Sequence, residues 1–171
     1  ILSIKLKKTL FFVTTLNSGG IENYLLRFLK FFDGQIEPIV VCKGNSFGEL
    51  EEEYKKIKNI RLIKMNVGYF DAISYAKIYK LIKKESVDSV CDFTGNFAGL
   101  TLFAANLAGI EKRISFYRGS SNHFKETSFK LLYNRFMQFL VKKNATKILS
   151  NSKTAIQYFY PNIKSNDTRF Q

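Results

Sequence analysis

Thr9-Leu10-Phe11-Phe12-Val13-Thr14-Thr15-Leu16-Asn17-Ser18-Gly19-Gly20-Ile21-Glu22-Asn23-Tyr24-Leu25 joins an unbroken β-branched and aromatic run to a Gly-Gly turn and then to a helix-like segment. A run that does not alternate between apolar and polar residues belongs to a strand covered on both faces, as in parallel sheets. After the glycines, Ile21, Leu25, Phe28, Leu29 and Phe32 recur at helical spacing. Glu22 falls in the first turn, where a carboxylate suits the positive end of the helix dipole. The stretch therefore predicts a buried strand over 9–16, with a helix opening directly at Gly19-Gly20.

The same alternation continues along the chain. Asp33-Gly34 stops the first helix, and residues 36–42 read as a second buried strand with Pro38 near its start. Residues 43–48 form a loop, 49–56 a short polar helix and 60–64 a third strand. Tyr75, Ile78, Tyr79 and Ile82 make one face of a further helix whose other face carries Lys77, Lys80 and Lys84. Residues 89–93 give a fourth strand, followed by Thr94-Gly95-Asn96 and a helix over 98–108. That helix is apolar almost all round, so it is expected to be central and buried, with Gly109 closing it. Residues 112–117 form a fifth strand, 118–125 a polar loop and 127–144 a long helix. Residues 145–149 form a sixth strand, Asn151 or Ser152 caps a last helix to about residue 160, and Pro161 ends it. Residues 162–171 show no core pattern. Six strands alternating with helices imply a Rossmann-like doubly wound parallel sheet with helices on both faces. Ligands on such sheets bind at the carboxyl ends of the strands where strand order reverses, which directs attention to the loops after strands one, four and five.

The 171 residues suffice for one domain that buries roughly 70% of its unfolded surface. No apolar run reaches the ~20 residues needed to span a bilayer. Cys42 and Cys91 are the only cysteines, each at the end of a strand-like run, where a buried reduced thiol in a reducing cytoplasm is the expectation. One His and two scattered Cys do not make the clustered ligand set of a zinc site, so no metal is expected. A serine triad would have to use His123, and no G-x-S-x-G elbow precedes it. Neither G-x-G-x-x-G nor a P-loop occurs, which demotes a nicotinamide oxidoreductase and leaves no cofactor indicated. The chain opens at Ile1 with too short an apolar stretch for a signal peptide, as expected of a piece trimmed from a longer chain.

Four features of the loops are candidates for chemistry. Gly19 and Gly20, lacking Cβ atoms at a helix N-terminus, permit close approach of an anionic or sugar ligand, or else simply make a tight turn. Asn96 is either a ligand contact or a helix cap. The Arg118 guanidinium at a strand's carboxyl end can hold a phosphate or carboxylate, or join a surface ion pair. His123 lies in the same polar loop, as a ligand contact or a solvated side chain.

The net charge of +13 is unevenly placed, since residues 112–164 hold eleven Lys and Arg against Glu126 alone. On the long helix, Phe129, Leu132, Tyr133, Phe136 and Leu140 form one stripe, while Leu131, Met137, Phe139 and Val141 fall outside it. Accompanied by Lys130, Arg135, Lys142 and Lys143, these residues are expected either to rest helix 127–144 on an anionic membrane or to pack entirely inside the protein. A basic nucleic-acid-binding domain is the alternative function, although no RNA or DNA module is recognisable.

Leu16-Asn17-Ser18-Gly19-Gly20-Ile21-Glu22-Asn23-Tyr24-Leu25-Leu26 resembles the Gly-Gly-x-Glu segment after the first strand of glycosyltransferase family 4, the retaining GT-B enzymes. Thr146-Lys147-Ile148-Leu149-Ser150-Asn151-Ser152 resembles the strand and turn before the interdomain crossover of that family. The resemblance implies that residues 1–160 are an N-terminal, acceptor-side GT-B domain. Residues 161–171 would then begin the linker to a donor-binding domain that lies outside this sequence. It implies transfer of a sugar from a nucleotide diphosphate-sugar to an acceptor, and together with the basic helix this makes a lipid-linked glycan acceptor, in surface polysaccharide synthesis at the cytoplasmic side of a membrane, the leading expectation. The nucleotide sugar would be a substrate, no metal or cofactor would be needed, and this domain alone would be inactive. Gly19 and Gly20 match the family loop that approaches the donor phosphates, and Glu22 matches the motif's acid. Many family members carry a His after strand four or five, where this chain has Thr94-Gly95-Asn96 and Tyr117-Arg118-Gly119. Nucleic acid is not an expected partner under this resemblance.

Overall fold

The computed structural model describes residues 5–118, 127–163 and 166–171. Its strands are β1 (Lys7–Val13), β2 (Ile36–Cys42), β3 (Arg61–Lys64), β4 (Ser89–Asp92), β5 (Lys112–Tyr117) and β6 (Lys147–Ser150). Its helices are α1 (Gly20–Phe31), α2 (Glu51–Lys55), α3 (Ala72–Glu85), α4 (Gly99–Leu107), α5 (Ser128–Asn144) and α6 (Lys153–Phe159). A 3₁₀ turn, Gly95–Ala98, leads into α4. The strands form one sheet in the order β3-β2-β1-β4-β5-β6, and every pairing is parallel. This is the doubly wound arrangement expected from the alternating pattern.

Side chains of β1 explain why its sequence does not alternate. Leu10 and Phe12 enter a core shared with Ile78 and Ile82 of α3 and Leu102 and Ala105 of α4. Phe11 and Val13 point to the opposite face, against Leu25 and Leu29 of α1 and Tyr54 of α2. Each such side chain contributes roughly 1.5–3 kcal/mol by leaving water. Pro38 is tolerated because β3 begins only opposite Ile39, so β2 is still uncovered on that side.

The helix ends follow local chemistry. Asp71 caps α3 by accepting from the Ser74 amide at 3.0 Å. Of the two residues offered for α6, Ser152 is the cap, accepting from the Ala155 amide at 3.2 Å. Gly109, at φ +82°, ends α4: its amide reaches the Asn106 carbonyl and the Ile110 amide reaches that of Ala105, each at 3.0 Å.

The structure corrects one expectation and decides two points that the sequence left open. First, α4 is not buried all round: Leu102, Ala104 and Ala105 are buried against the sheet and against α3 and α5, but Phe103 and Leu107 are exposed. Second, the apolar stripes of α5 are not all packed inside. Tyr133, Met137, Leu140 and Val141 turn inward, whereas Phe129, Leu132, Phe136 and Phe139 remain exposed, since the helix packs on α4 and the 3₁₀ turn from one side only. Third, the last residues dock although they carry no core periodicity. The Ile148 amide donates to the Arg169 carbonyl at 2.8 Å, the Gln171 amide to that of Ile148 at 3.0 Å, and Phe170 packs against the core.

Candidate functional site

Strand order reverses between β1 and β4, so the loops that follow them leave in opposite directions and open a crevice. A cleft of about 560 Å³ lies there, walled by Thr14 and Ile21 after β1, Lys43 and Gly44 after β2, and residues 66–69 after β3. Residues 93–97 after β4, Tyr117 and Arg118 of β5 and its loop, Tyr133 and Asn134 of α5 and Phe159 of α6 complete the wall. Gly44 lets two strand ends meet closely, as its amide donates to the Thr14 carbonyl at 2.8 Å and a Cβ would lie 2.9 Å from that oxygen.

Gly19 and Gly20 sit at the rim. Gly19 is the N-cap of α1 and has no side chain to satisfy the first-turn amides, which lack partners within the helix. A side chain at Gly19 would collide with the Glu22 carboxylate, which lies over it. At Gly20 a Cβ would lie 3.9 Å from the Arg118 guanidinium. Neither glycine lines the cavity itself, and Glu22 and Arg118 flank the glycine corner. Glu22 is indeed a first-turn residue.

Arg118 is held in place. Its Nη1 donates to the Gly20 carbonyl, and its guanidinium lies 5.3 Å from the centre of the Tyr24 ring. Among the described residues no carboxylate pairs with it. Asn96 lines the cleft too, but it caps no helix: it sits inside the 3₁₀ turn. Its Oδ1 accepts from the Tyr117 hydroxyl at 2.8 Å, and Tyr117 and Tyr160 hydroxyls are also 2.8 Å apart. Because Tyr117 has one proton and gives it to Asn96, Tyr160 must donate to Tyr117. Burial holds the Tyr117 phenol well above its usual range, so this proton stays on oxygen. With its oxygen taken by Tyr117, the donor end of the Asn96 amide is its NH₂ group, on a residue that lines the cleft. His123 lies outside the described residues.

The sequence reading missed Lys43 and Asp92. The Lys43 ammonium meets Asp92 Oδ2 at 2.6 Å, Thr94 Oγ1 at 3.0 Å and the Phe97 carbonyl at 3.2 Å, with both charged side chains at 1% exposure or less. Burial pulls the Lys43 pKa down, against the pull of Asp92. The detectable signal was a charge adjoining or interrupting a buried run: Lys43 directly after 36–42 and Asp92 inside 89–93. Once this pair is neutralised, Arg118 is the remaining charged residue among the described ones that line the cleft. Both cysteines are buried free thiols, as expected, and burial pushes Cys42 up to about 12. Among the described residues no three His, Cys, Asp or Glu side chains come together as a metal site.

Fold and crevice define a Rossmann-like domain with an open cleft at its switch point and no dinucleotide fingerprint. The glycosyl transferase 4-like family profile matches residues 13–152, and the chain belongs to that family. It is 23% identical, over 152 residues, to the capsular polysaccharide biosynthesis glycosyltransferase CapH of Staphylococcus aureus, covering 86% of this chain and 41% of CapH. Among solved structures, Anabaena Alr3699/HepE in complex with UDP and glucose superposes with a TM-score of 0.65 at 17% identity, covering 96% of this chain and 43% of that one. The lipopolysaccharide outer core galactosyltransferase WaaB gives 0.63 at 16% identity, covering 97% and 44%. The chain thus spans less than half the length of each of these relatives.

Proposed function

We propose that the intact protein is a retaining glycosyltransferase that moves a sugar from a nucleotide diphosphate-sugar to a lipid-linked glycan acceptor. Residues 1–160 would be its acceptor-side wall, with residues 161–171 leading towards a donor-binding domain. The observation that carries this reading is the switch-point cleft lined by an anchored Arg118 and by Asn96, whose amide oxygen is held by Tyr117. Its relatives support the reaction class: CapH is named for capsular polysaccharide biosynthesis, and HepE is described with UDP and glucose. Departure of a nucleotide diphosphate depends on cations and dipoles near the phosphates more than on a protein nucleophile. No metal or cofactor enters the proposal.

A lipid-linked acceptor is favoured by the apolar side of the molecule. Phe129, Leu132, Phe136 and Phe139 of α5 are exposed, and Phe70 stacks near Phe136 at 6.0 Å. Beside them an apolar groove of about 520 Å³ runs between α3 and α4, lined by residues such as Tyr79, Phe103 and Leu107. Exposed Lys77, Lys80, Arg135, Lys142 and Lys143 flank this side, a composition suited to the anionic inner face of a membrane. No helix among the described residues is long and apolar enough to cross a bilayer.

The test is transfer by the intact protein from a panel of nucleotide sugars to a polyprenyl-phosphate-linked acceptor. Absence of both transfer and donor hydrolysis across the panel would overturn the reading. Sedimentation with vesicles is the companion measurement. Binding to anionic but not zwitterionic vesicles, weakened by salt, is expected, and equal behaviour with both would remove the membrane part.

A further inference from the structure

We infer that Lys43 is a positioning residue for sugar transfer: a buried strut that crosses the sheet's switch point and sets the turn presenting Asn96 to the acceptor. The inference rests on the glycosyltransferase reading above. Lys43 leaves the end of β2, yet its ammonium passes the Phe12 ring of β1 at 5.4 Å and reaches Asp92 at the end of β4. Its backbone joins two further loops, donating to the Val13 carbonyl at 2.9 Å and accepting from the Val67 amide at 3.1 Å. One residue thus ties together the strand ends that form three walls of the cleft.

The side-chain contacts grip the 94–97 turn at both ends. All three ammonium protons are used, two of them on Thr94 Oγ1 and the Phe97 carbonyl. Asp92 Oδ1 takes the Thr94 amide at 2.8 Å and the Thr94 hydroxyl at 2.6 Å, so the pair clamps the same residue from two directions. Between the clamped ends lie Gly95, at φ +61°, and Asn96. The Asn96 side chain can accept from Tyr117 only if the turn holds this height above β4. A buried ion pair is weak evidence for stability, because desolvation offsets the attraction. What this pair supplies is geometry, and Asn96 is the residue that uses it.

The experiment compares the intact wild-type protein with Lys43→Met/Asp92→Asn, which removes both charges together and leaves neither one buried alone. Lys43→Met is the second variant. For the double variant the acceptor KM is expected to rise about tenfold or more, on the scale of the ~10²-fold loss that an ångström of misplacement can cause. The donor KM and the thermal midpoint should stay close to wild type. Hydrogen exchange of residues 94–97 should be faster, with α1 protection unchanged. An unchanged acceptor KM in the folded double variant overturns the inference, as does an equal loss for donor and acceptor that tracks the midpoint. Where the wild type shows no transfer at all, the glycosyltransferase reading fails by itself, and exchange decides the strut: unchanged protection of 94–97 in both variants overturns it.

Discussion

Arg118 rests on the Tyr24 ring and gives one guanidinium hydrogen bond to Gly20, so its remaining donors meet a ligand without first being ordered. Replacement by Gln should lower transfer by about tenfold to a hundredfold, the range for losing ~1.5–3 kcal/mol of charged hydrogen bonding. Arg118→Lys should not restore the rate, since an ammonium lacks the planar fork and stacks less well. Steady-state rates alongside thermal melts check this, and a variant with wild-type rates would remove Arg118 from the site. The thiols offer a second test at this scale. Cys42 and Cys91 are buried and both are pushed up by desolvation, Cys42 to about 12, so neither should react with iodoacetamide at pH 8 until the protein unfolds. Arg118 and Asn96 could be singled out because they follow strands in a parallel pattern. For Lys43 the sequence offered only a charge adjoining a buried run, and the pairing itself was not legible because its partner lies 49 residues away.

At the scale of elements, the two faces of α5 separate packing from exposure. Met137 is fully buried, and Met137→Ala should cost about 2–5 kcal/mol, whereas Phe136→Ser should leave chemical denaturation nearly unchanged while weakening vesicle binding. The contact beneath Met137 depends on Gly99 of α4, where a Cβ would lie 2.6 Å from the Met137 carbonyl and 3.1 Å from the Leu140 Cβ. Gly99→Ala should therefore destabilise by roughly 1–3 kcal/mol through separation of the two helices, read as a lowered midpoint of denaturation. The apolar residues of α5 are evident in its sequence. Which of them pack is set by the direction from which α4 and the 3₁₀ turn approach, a fact that no spacing along α5 contains.

Across the whole molecule, the carboxyl-terminal residues are tied to β6 by backbone hydrogen bonds and to the end of α5 by Arg169, whose Nη1 donates to the Lys142 carbonyl at 2.6 Å, and Asp167 braces that arginine. Asp167 accepts from Arg169 at 2.9 and 2.8 Å, and this contact holds its carboxyl down to about 2 from an ordinary 3.8. A carboxyl lowered in the folded state adds stability that is complete above its unfolded value and is lost as pH falls through the folded one. The pairing of β6 with residues 169–171 should accordingly loosen between about pH 4 and pH 2. Exchange protection of the Gln171 amide measures it, and protection that persists unchanged to pH 2 would contradict the role given to Asp167.

The sequence by itself determined the alternation of buried strands and helices, hence the parallel sheet, because unbroken apolar runs and helical periods are local properties of the chain. It also determined that the loops after β1, β4 and β5 face one crevice, since strand direction in such a sheet follows from its crossovers. Only the tertiary structure decided that Lys43 reaches Asp92, that Tyr160 aligns Asn96 through Tyr117, and that one side of α4 and α5 stays uncovered. Those relations join residues far apart along the chain, and they depend on the few ångströms and degrees with which whole elements meet.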